Sequence, residues 1–141
     1  MRTIKQVMLI SLVLILPFGH LFGQANPLAR FNSLIGEWTG RGEGFGNDSS
    51  EINSVFRFVM GTTYIEVSND SKFALSEKHP EGEHQTNKGY ISYDNRRRVI
   101  VFRQFNNEGY VNIYLLNDSL SADSVFVFET KSIENFPPGG K

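Results

Sequence analysis

The chain has 141 residues, no cysteine and a formal net charge of -1. This length corresponds to one small domain that can bury its own core, and the lack of cysteine excludes disulfides and a lipid anchor on an acylated cysteine. The slightly acidic balance gives no overall attraction to nucleic acid or to an anionic membrane.

Residues 1–25 have the three-part plan of a secretory signal peptide. Arg2 and Lys5 precede an apolar run at 7–16, and small residues surround a cut after Gln24 or Ala25. The run is shorter than the ~20 residues of a membrane span. We therefore expect an exported protein, periplasmic or secreted, with a single domain at 26–141 and no stable membrane span. Cleavage of the signal peptide would remove Arg2 and Lys5 and change the formal net charge from -1 to -3.

The segment NPLARFNSLI is the one helix candidate. Asn26 can cap it and Pro27 suits the first helical position. Its apolar residues recur at helical spacing: Leu28, Phe31, Leu34 and Ile35. Because so short a helix is unstable alone, we expect it to lie as a plug against an apolar surface.

From Gly36 onward, short runs rich in Val, Ile, Phe, Tyr and Thr alternate with turn residues, which predicts an antiparallel sandwich or barrel. The predicted strands are 36–45, 51–59, 62–69, 72–76, 88–94, 98–106, 109–117 and 124–130. The predicted turns contain Gly61, Asn69-Asp70, Asp94-Asn95, 106–109 and 117–119. A polar stretch at 77–88 is predicted as a loop, and Arg96, Arg97 and Arg98 as a solvated hairpin tip.

The stretch GEWTGRGEGFG at 36–46 has a glycine at every even position except 38, which is Trp38. It lacks the lysine of a phosphate-binding loop and does not fit the dinucleotide fingerprint. Read as a strand, it puts Trp38 and the glycines on one face and mostly charged residues on the other. We predict that the glycine face looks inward, beside a cavity.

Polar residues also interrupt the apolar faces of the later strands. Arg103 shares a face with Val99 and Val101, and Asn112 shares one with Tyr114. The sequence does not decide which face is inner, because both are substantially apolar. If these polar groups point inward, a cavity with water or a polar-headed ligand would satisfy them; the alternative is a packed barrel in which they bond one another or the backbone.

The short helix followed by Gly36-x-Trp38 resembles the start of the calycin barrels, the lipocalins and fatty-acid-binding proteins. LIGEWTGRGEGFG resembles more closely the nitrobindin-like and lipocalin-like bacterial domains, as do GYISYD, FRQFNNEGYVNIY and IENFPPG. The resemblance implies an all-β, antiparallel up-and-down β-barrel with an apolar pocket, and for nitrobindins a haem cofactor.

Two departures accompany this resemblance. Nitrobindins bind haem iron through a histidine late in the chain, and here no histidine follows His84. Such domains also continue beyond the Pro-Pro-Gly segment. We therefore expect the last strands of the barrel to be missing from this chain; the alternative is a barrel left open with an unpaired edge, which is an aggregation hazard.

Catalytic patterns are weak. His79 and His84 lie near Glu77, Glu81 and Glu83, but their spacing matches no metal-ligand pattern, so we predict no metal site. There is no G-x-S-x-G elbow and no matched acid and base pair, so an enzyme is not favoured.

We predict a small, largely apolar ligand in the barrel. Five residues are predicted to line its pocket: Trp38, Tyr90, Arg103, Asn112 and Tyr114. Arg103 would meet a carboxylate, the aromatic rings would offer flat apolar surface, and Asn112 would fix orientation. The alternatives are haem binding and a ligand-free structural or interaction module.

Overall fold

The computed structural model describes residues 25–43, 49–75 and 80–136. This part of the chain forms a 3₁₀ helix, Pro27–Leu34, and seven strands: β1 Gly36–Glu43, β2 Ser49–Val59, β3 Tyr64–Phe73, β4 Glu83–Asp94, β5 Val99–Asn106, β6 Val111–Leu116 and β7 Phe128–Glu134. Each strand pairs antiparallel with the next one along the chain, in the order β1 to β7. The predicted up-and-down antiparallel arrangement is therefore confirmed.

The sheet is open. Among the described residues β1 pairs only with β2 and β7 pairs only with β6. A closed barrel needs the two edge strands to be hydrogen-bonded to each other. The described residues therefore form an open seven-stranded sheet with two free edges, and the barrel implied by the resemblance is not closed within them.

One face of the sheet packs against the 3₁₀ helix, and we call it the inner face. Directly paired residues share a face, so the register defines this surface. It comprises the even-numbered residues of β1, β2, β5 and β6 and the odd-numbered residues of β3 and β4. On β7 it includes Phe128 and Thr130, before a bulge opposite Ile113 and Tyr114 shifts the alternation.

The helix follows the predicted segment but is 3₁₀ in type. Asn26 caps it, since its side-chain oxygen accepts a hydrogen bond from the Leu28 amide at 2.9 Å. Near its end, the Leu34 carbonyl accepts a hydrogen bond from Trp38 Nε1 at 2.8 Å. The indole thus satisfies a carbonyl that a helix terminus leaves without a partner.

The hydrophobic core lies between the helix and the inner face. Its buried members are Leu28, Phe31, Ile65, Val67, Ile91, Ile100 and Leu116. The Phe31 ring is fully buried, and its centroid lies 4.6 Å from that of Phe126 and 6.2 Å from that of Phe128. The predicted packing of the helix on an apolar surface is confirmed.

Strand boundaries differ from prediction in the middle of the chain. The predicted strands 62–69 and 72–76 are one strand, β3, and Asn69-Asp70 lies within it. Asn69 pairs with Ser54 on one side and with Asn87 on the other, so the ladder continues through both residues. Likewise, β4 begins at Glu83, inside the stretch predicted as a polar loop.

The predicted signal peptide lies outside the described residues except for Ala25. Within the described part of the chain, the helix present does not have the length and apolar character that crossing a bilayer requires.

Candidate ligand site on the inner face

The glycine-rich strand contributes an unobstructed edge to the inner face. Gly36, Trp38, Gly40 and Gly42 all occupy inner-face positions, as predicted; Gly44 and Gly46 lie outside the described residues. A Cβ added at Gly40 would meet no atom within 4 Å, whereas one at Gly42 would lie 2.8 Å from side-chain atoms of Ile52 and Ser50. The space beside Trp38 is therefore open at Gly40.

The inner face changes from apolar to polar along its strands. The apolar part lies under the helix, and beyond it amide side chains from adjacent strands are hydrogen-bonded together. Asn69 Nδ2 donates to Asn87 Oδ1 at 2.7 Å, and Gln104 Nε2 donates to the same oxygen at 2.9 Å. Tyr114 Oη donates to Gln104 Oε1 at 3.2 Å. We call Asn69, Asn87, Gln104, Asn112 and Tyr114 the amide network.

Gly89 makes room for this arrangement. It is paired with Gln104 across β4 and β5 and is buried. A Cβ added there would lie 2.6 Å from Phe102 Cε2 and 2.3 Å from the Arg103 carbonyl oxygen. The Phe102 ring and the β5 backbone therefore occupy the space that any larger residue would need.

Tyr114 joins the network to the apolar part of the inner face. Its ring stacks on Phe102, with centroids 5.6 Å apart. Burial raises the pKa of Tyr114, and nearby Tyr110 acts in the same direction, while a hydrogen bond with Asn112 opposes them. The phenol of a tyrosine is protonated at neutral pH, and the raised pKa of Tyr114 means that burial favours this neutral, hydrogen-bond-donating form further.

The structure separates the five residues that the sequence predicted as one pocket lining. Trp38, Asn112 and Tyr114 occupy the inner face, but Tyr90 and Arg103 are paired with each other on the outer face. Side chains alternate between the two faces along a strand. The inner face takes the odd-numbered residues of β4 and the even-numbered residues of β5, so Tyr90 and Arg103 lie on the other face. We therefore leave Tyr90 and Arg103 out of the candidate site.

The outer face instead holds an ion pair centred on Glu66. Arg57 Nε and NH2 donate to Glu66 Oε1 at 2.9 and 2.5 Å, and Tyr90 Oη donates to Glu66 Oε2 at 3.3 Å. The hydrogen bond from Arg57 lowers the pKa of Glu66 below its ordinary value of 4.5, although partial burial opposes the change.

The lowered pKa gives a sign for the pH dependence of stability. A carboxyl group that loses its proton more easily when folded stabilises the fold above pH 4.5, and this contribution is lost as the pH falls below that value. We expect Glu66→Gln to destabilise the protein at pH 7 by less than about 1 kcal/mol, since Arg57 is mostly exposed. Urea unfolding of both proteins at pH 7 and pH 3 should show a smaller difference at pH 3, because protonation of Glu66 begins to remove the contribution; a constant difference would contradict this assignment.

The histidine-rich stretch shows no metal centre in its described part. His84 Nε2 lies 2.6 Å from Asp70 Oδ2 on the outer face, and His79 lies outside the described residues. Within 25–43, 49–75 and 80–136, no group of three or more His, Cys, Asp or Glu side chains is placed to hold a metal ion.

A cleft of about 860 Å³ lies at the ends of β1, β2 and β3. Its lining includes inner-face residues such as Gly42 and Phe73 and outer-face residues such as Arg41 and Lys72. Because its lining residues come from both faces of one sheet, this cleft is a groove that runs around the strand ends. The amide network lies elsewhere on the inner face and is the better candidate for a ligand site.

Sequence reasoning missed three members of the network. Asn69 was assigned to a turn and Asn87 to a loop, and Gln104 lay on the strand face opposite to the one considered. The sequence signal that could have identified Gln104 is the alternation Ile100, Phe102, Gln104, which places an amide at the end of an apolar strand face.

Comparison of the chain with protein-family models, with curated proteins and with solved structures finds no match. The resemblance to nitrobindin-like domains therefore stays a prediction, and the site is interpreted from its own chemistry.

Proposed function

We propose that this chain is an exported protein that binds a small, largely apolar ligand bearing polar groups. The ligand would lie on the inner face, with its polar groups against the amide network and its apolar part toward Trp38 and the Phe102–Tyr114 stack. Three of the five residues predicted from sequence, Trp38, Asn112 and Tyr114, belong to this site.

The observation that carries the proposal is the unused hydrogen-bonding capacity of the network. A side-chain amide can make about four hydrogen bonds. Asn69 makes one bond within the network, while Asn87 and Gln104 make two each. No buried side-chain nitrogen or oxygen among the described residues lacks a partner, so the unused groups are those open to solvent. Such partly used, accessible polar groups beside apolar rings are typical of ligand sites.

Trp38 supplies the second element of the site. Its side chain is 50% exposed, yet its indole nitrogen is held by the Leu34 carbonyl. An exposed ring with a fixed orientation offers a flat apolar surface at little cost in side-chain entropy. Gly40, the next residue on the same face of β1, leaves open space, since an added Cβ there would meet no atom within 4 Å.

Export and a calycin-like classification belong to the same proposal. The signal-peptide pattern of residues 1–25 supports export. The up-and-down strand order, the capped helix packed on the inner face and the Gly36-x-Trp38 start of β1 support the classification.

Ligand binding can be tested on the purified full chain by native mass spectrometry and by titration with the neutral dye Nile red. We expect a retained adduct of constant mass, or enhanced dye fluorescence with quenching of Trp38, the single tryptophan. A protein with no adduct that also fails to bind Nile red would contradict the proposed function.

Asn87→Ala should weaken ligand binding because Asn87 accepts both amide hydrogen bonds at the centre of the network. We expect roughly a 5- to 15-fold loss of affinity for the retained ligand or for Nile red, which corresponds to about one net hydrogen bond. The matched control is Asn53→Ala, on the outer face of β2, which should bind as the wild type does. Equal losses in both variants would contradict a role for the network.

A further inference from the structure

Charge is unequally divided between the two faces of the sheet. At the paired positions of β1 to β7, the inner face carries one charged residue, Glu83. The outer face carries every paired lysine and arginine: Arg41, Arg57, Lys72, Lys88 and Arg103. A ligand on the inner face thus meets no cation from the paired strand positions.

Glu83 is remote from the network. It lies four residues before Asn87 on β4, or roughly 13 Å away at the ~3.3 Å rise of a strand. Its carboxylate also accepts a hydrogen bond from Gln85 Nε2 at 2.6 Å. Lys131 is the strand cation without a direct pairing partner: it is exposed and lies in the β7 bulge opposite Ile113 and Tyr114. At the paired positions, no charged residue other than the distant Glu83 lies on the face of the amide network.

Neutral surroundings discriminate against charged ligands. A carboxylate, sulfate or phosphate placed on the network would give up hydration without gaining a counter-charge, which is unfavourable in a partly buried site. Side-chain amides offer donors and acceptors together, which matches hydroxyl and amide groups, since these also do both. The aromatic rings beside the network suit the apolar faces of the same molecules.

We infer that the ligand is uncharged where it meets the amide network and carries hydroxyl or amide groups on an apolar framework. This inference rests on the proposed function and specifies its ligand class. It replaces the expectation of a carboxylate held by Arg103, because Arg103 lies on the outer face and its NH1 donates to Ser92 Oγ at 3.4 Å.

A pair of probes that differ only in charge tests the inference on the full chain. Octyl glucoside and octyl glucuronide share the alkyl chain and the sugar ring, but the glucuronide bears a carboxylate in place of the hydroxymethyl group. Titrated below their micellar concentrations and followed by Trp38 emission, the neutral glycoside should bind about tenfold or more tightly than the anionic one.

A cation placed on the inner face should largely cancel this preference. Gly40→Lys adds a cation at a position where an added Cβ meets no atom within 4 Å, and we expect it to improve glucuronide binding relative to glucoside by about tenfold. The matched control is Thr39→Lys, which adds the same cation on the outer face of β1 and should retain the wild-type preference.

The outcomes separate the inference from the proposed function. Equal or tighter binding of the glucuronide by the wild type overturns the inference, as does binding of Nile red without binding of either glycoside. If neither glycoside nor Nile red binds and native mass spectrometry shows no retained adduct, the proposed function fails and the inference fails with it.

Discussion

Phe31→Ala should lower the free energy of unfolding by about 3–5 kcal/mol, the range for removing a buried phenylalanine. Phe31 has no exposed surface, and its ring contacts both Phe126 and Phe128. The helix that carries it is too short to be stable without this packing. Urea unfolding followed by Trp38 fluorescence measures the change.

Phe105→Ala is the matched control, since Phe105 lies on the outer face and is 47% exposed. We expect it to cost less than about 1 kcal/mol. If Phe31→Ala fails to fold, Phe31→Leu should still fold and cost about 1.5 kcal/mol. Similar costs for the two alanine variants would contradict the assignment of the helix to the core.

Gly89→Ala should destabilise the protein by about 1–3 kcal/mol through overpacking. The added methyl group would lie 2.3 Å from the Arg103 carbonyl oxygen and 3.1 Å from Gln104 Cα. Both are backbone atoms of the paired strand β5, so β4 and β5 would have to separate. Equilibrium unfolding in urea gives the loss, and hydrogen exchange of the β4 and β5 amides should show faster opening.

Gly40→Ala is the control for the same chemical change at an open position. A Cβ there meets nothing within 4 Å, so we expect unchanged stability or a gain of about 0.4–1 kcal/mol from the less flexible unfolded chain. If Gly89→Ala were as stable as Gly40→Ala, the close contact between β4 and β5 at Gly89 would be refuted.

Phe31→Ala and Gly89→Ala should also affect the ligand site. Phe31 fixes the helix whose Leu34 carbonyl holds the Trp38 indole, and Gly89 leaves room for the Phe102 ring on which Tyr114 stacks. Core packing therefore positions residues of the ligand site, and a loss of packing at Phe31 or Gly89 should also reduce ligand binding.

Local chemistry made much of the fold predictable. Asn26 and Pro27 mark the start of the helix, and the turns at Gly61 and at Asp94-Asn95 form as expected. Each signal acts through groups adjacent in sequence. At the Asp94 turn, for example, the carboxylate accepts a hydrogen bond from the Arg97 amide at 2.9 Å, as turn aspartates do.

The same local rules gave the wrong result at Asn69-Asp70. Asparagine and aspartate favour turns because they can bond their own backbone, but here Asn69 bonds the Asn87 side chain on the next strand. That partner is distant in sequence, so the competing interaction exists only once β3 and β4 are paired. The loop predicted at 77–88 was wrong from Glu83 onward, where β4 begins, for the same reason.

By itself, the sequence determined the all-β class, the antiparallel order of its hairpins, the short capped helix and the shared face of Trp38 with Gly36, Gly40 and Gly42, because each follows from turn chemistry or strand alternation. The tertiary structure decided which face is inner on β4 and β5, and so excluded Tyr90 and Arg103 from the site while adding Asn69, Asn87 and Gln104. It also decided that the described sheet is open. The physical reason is that a strand with two apolar faces has no preferred side until a helix packs against one of them and long-range pairing fixes the register.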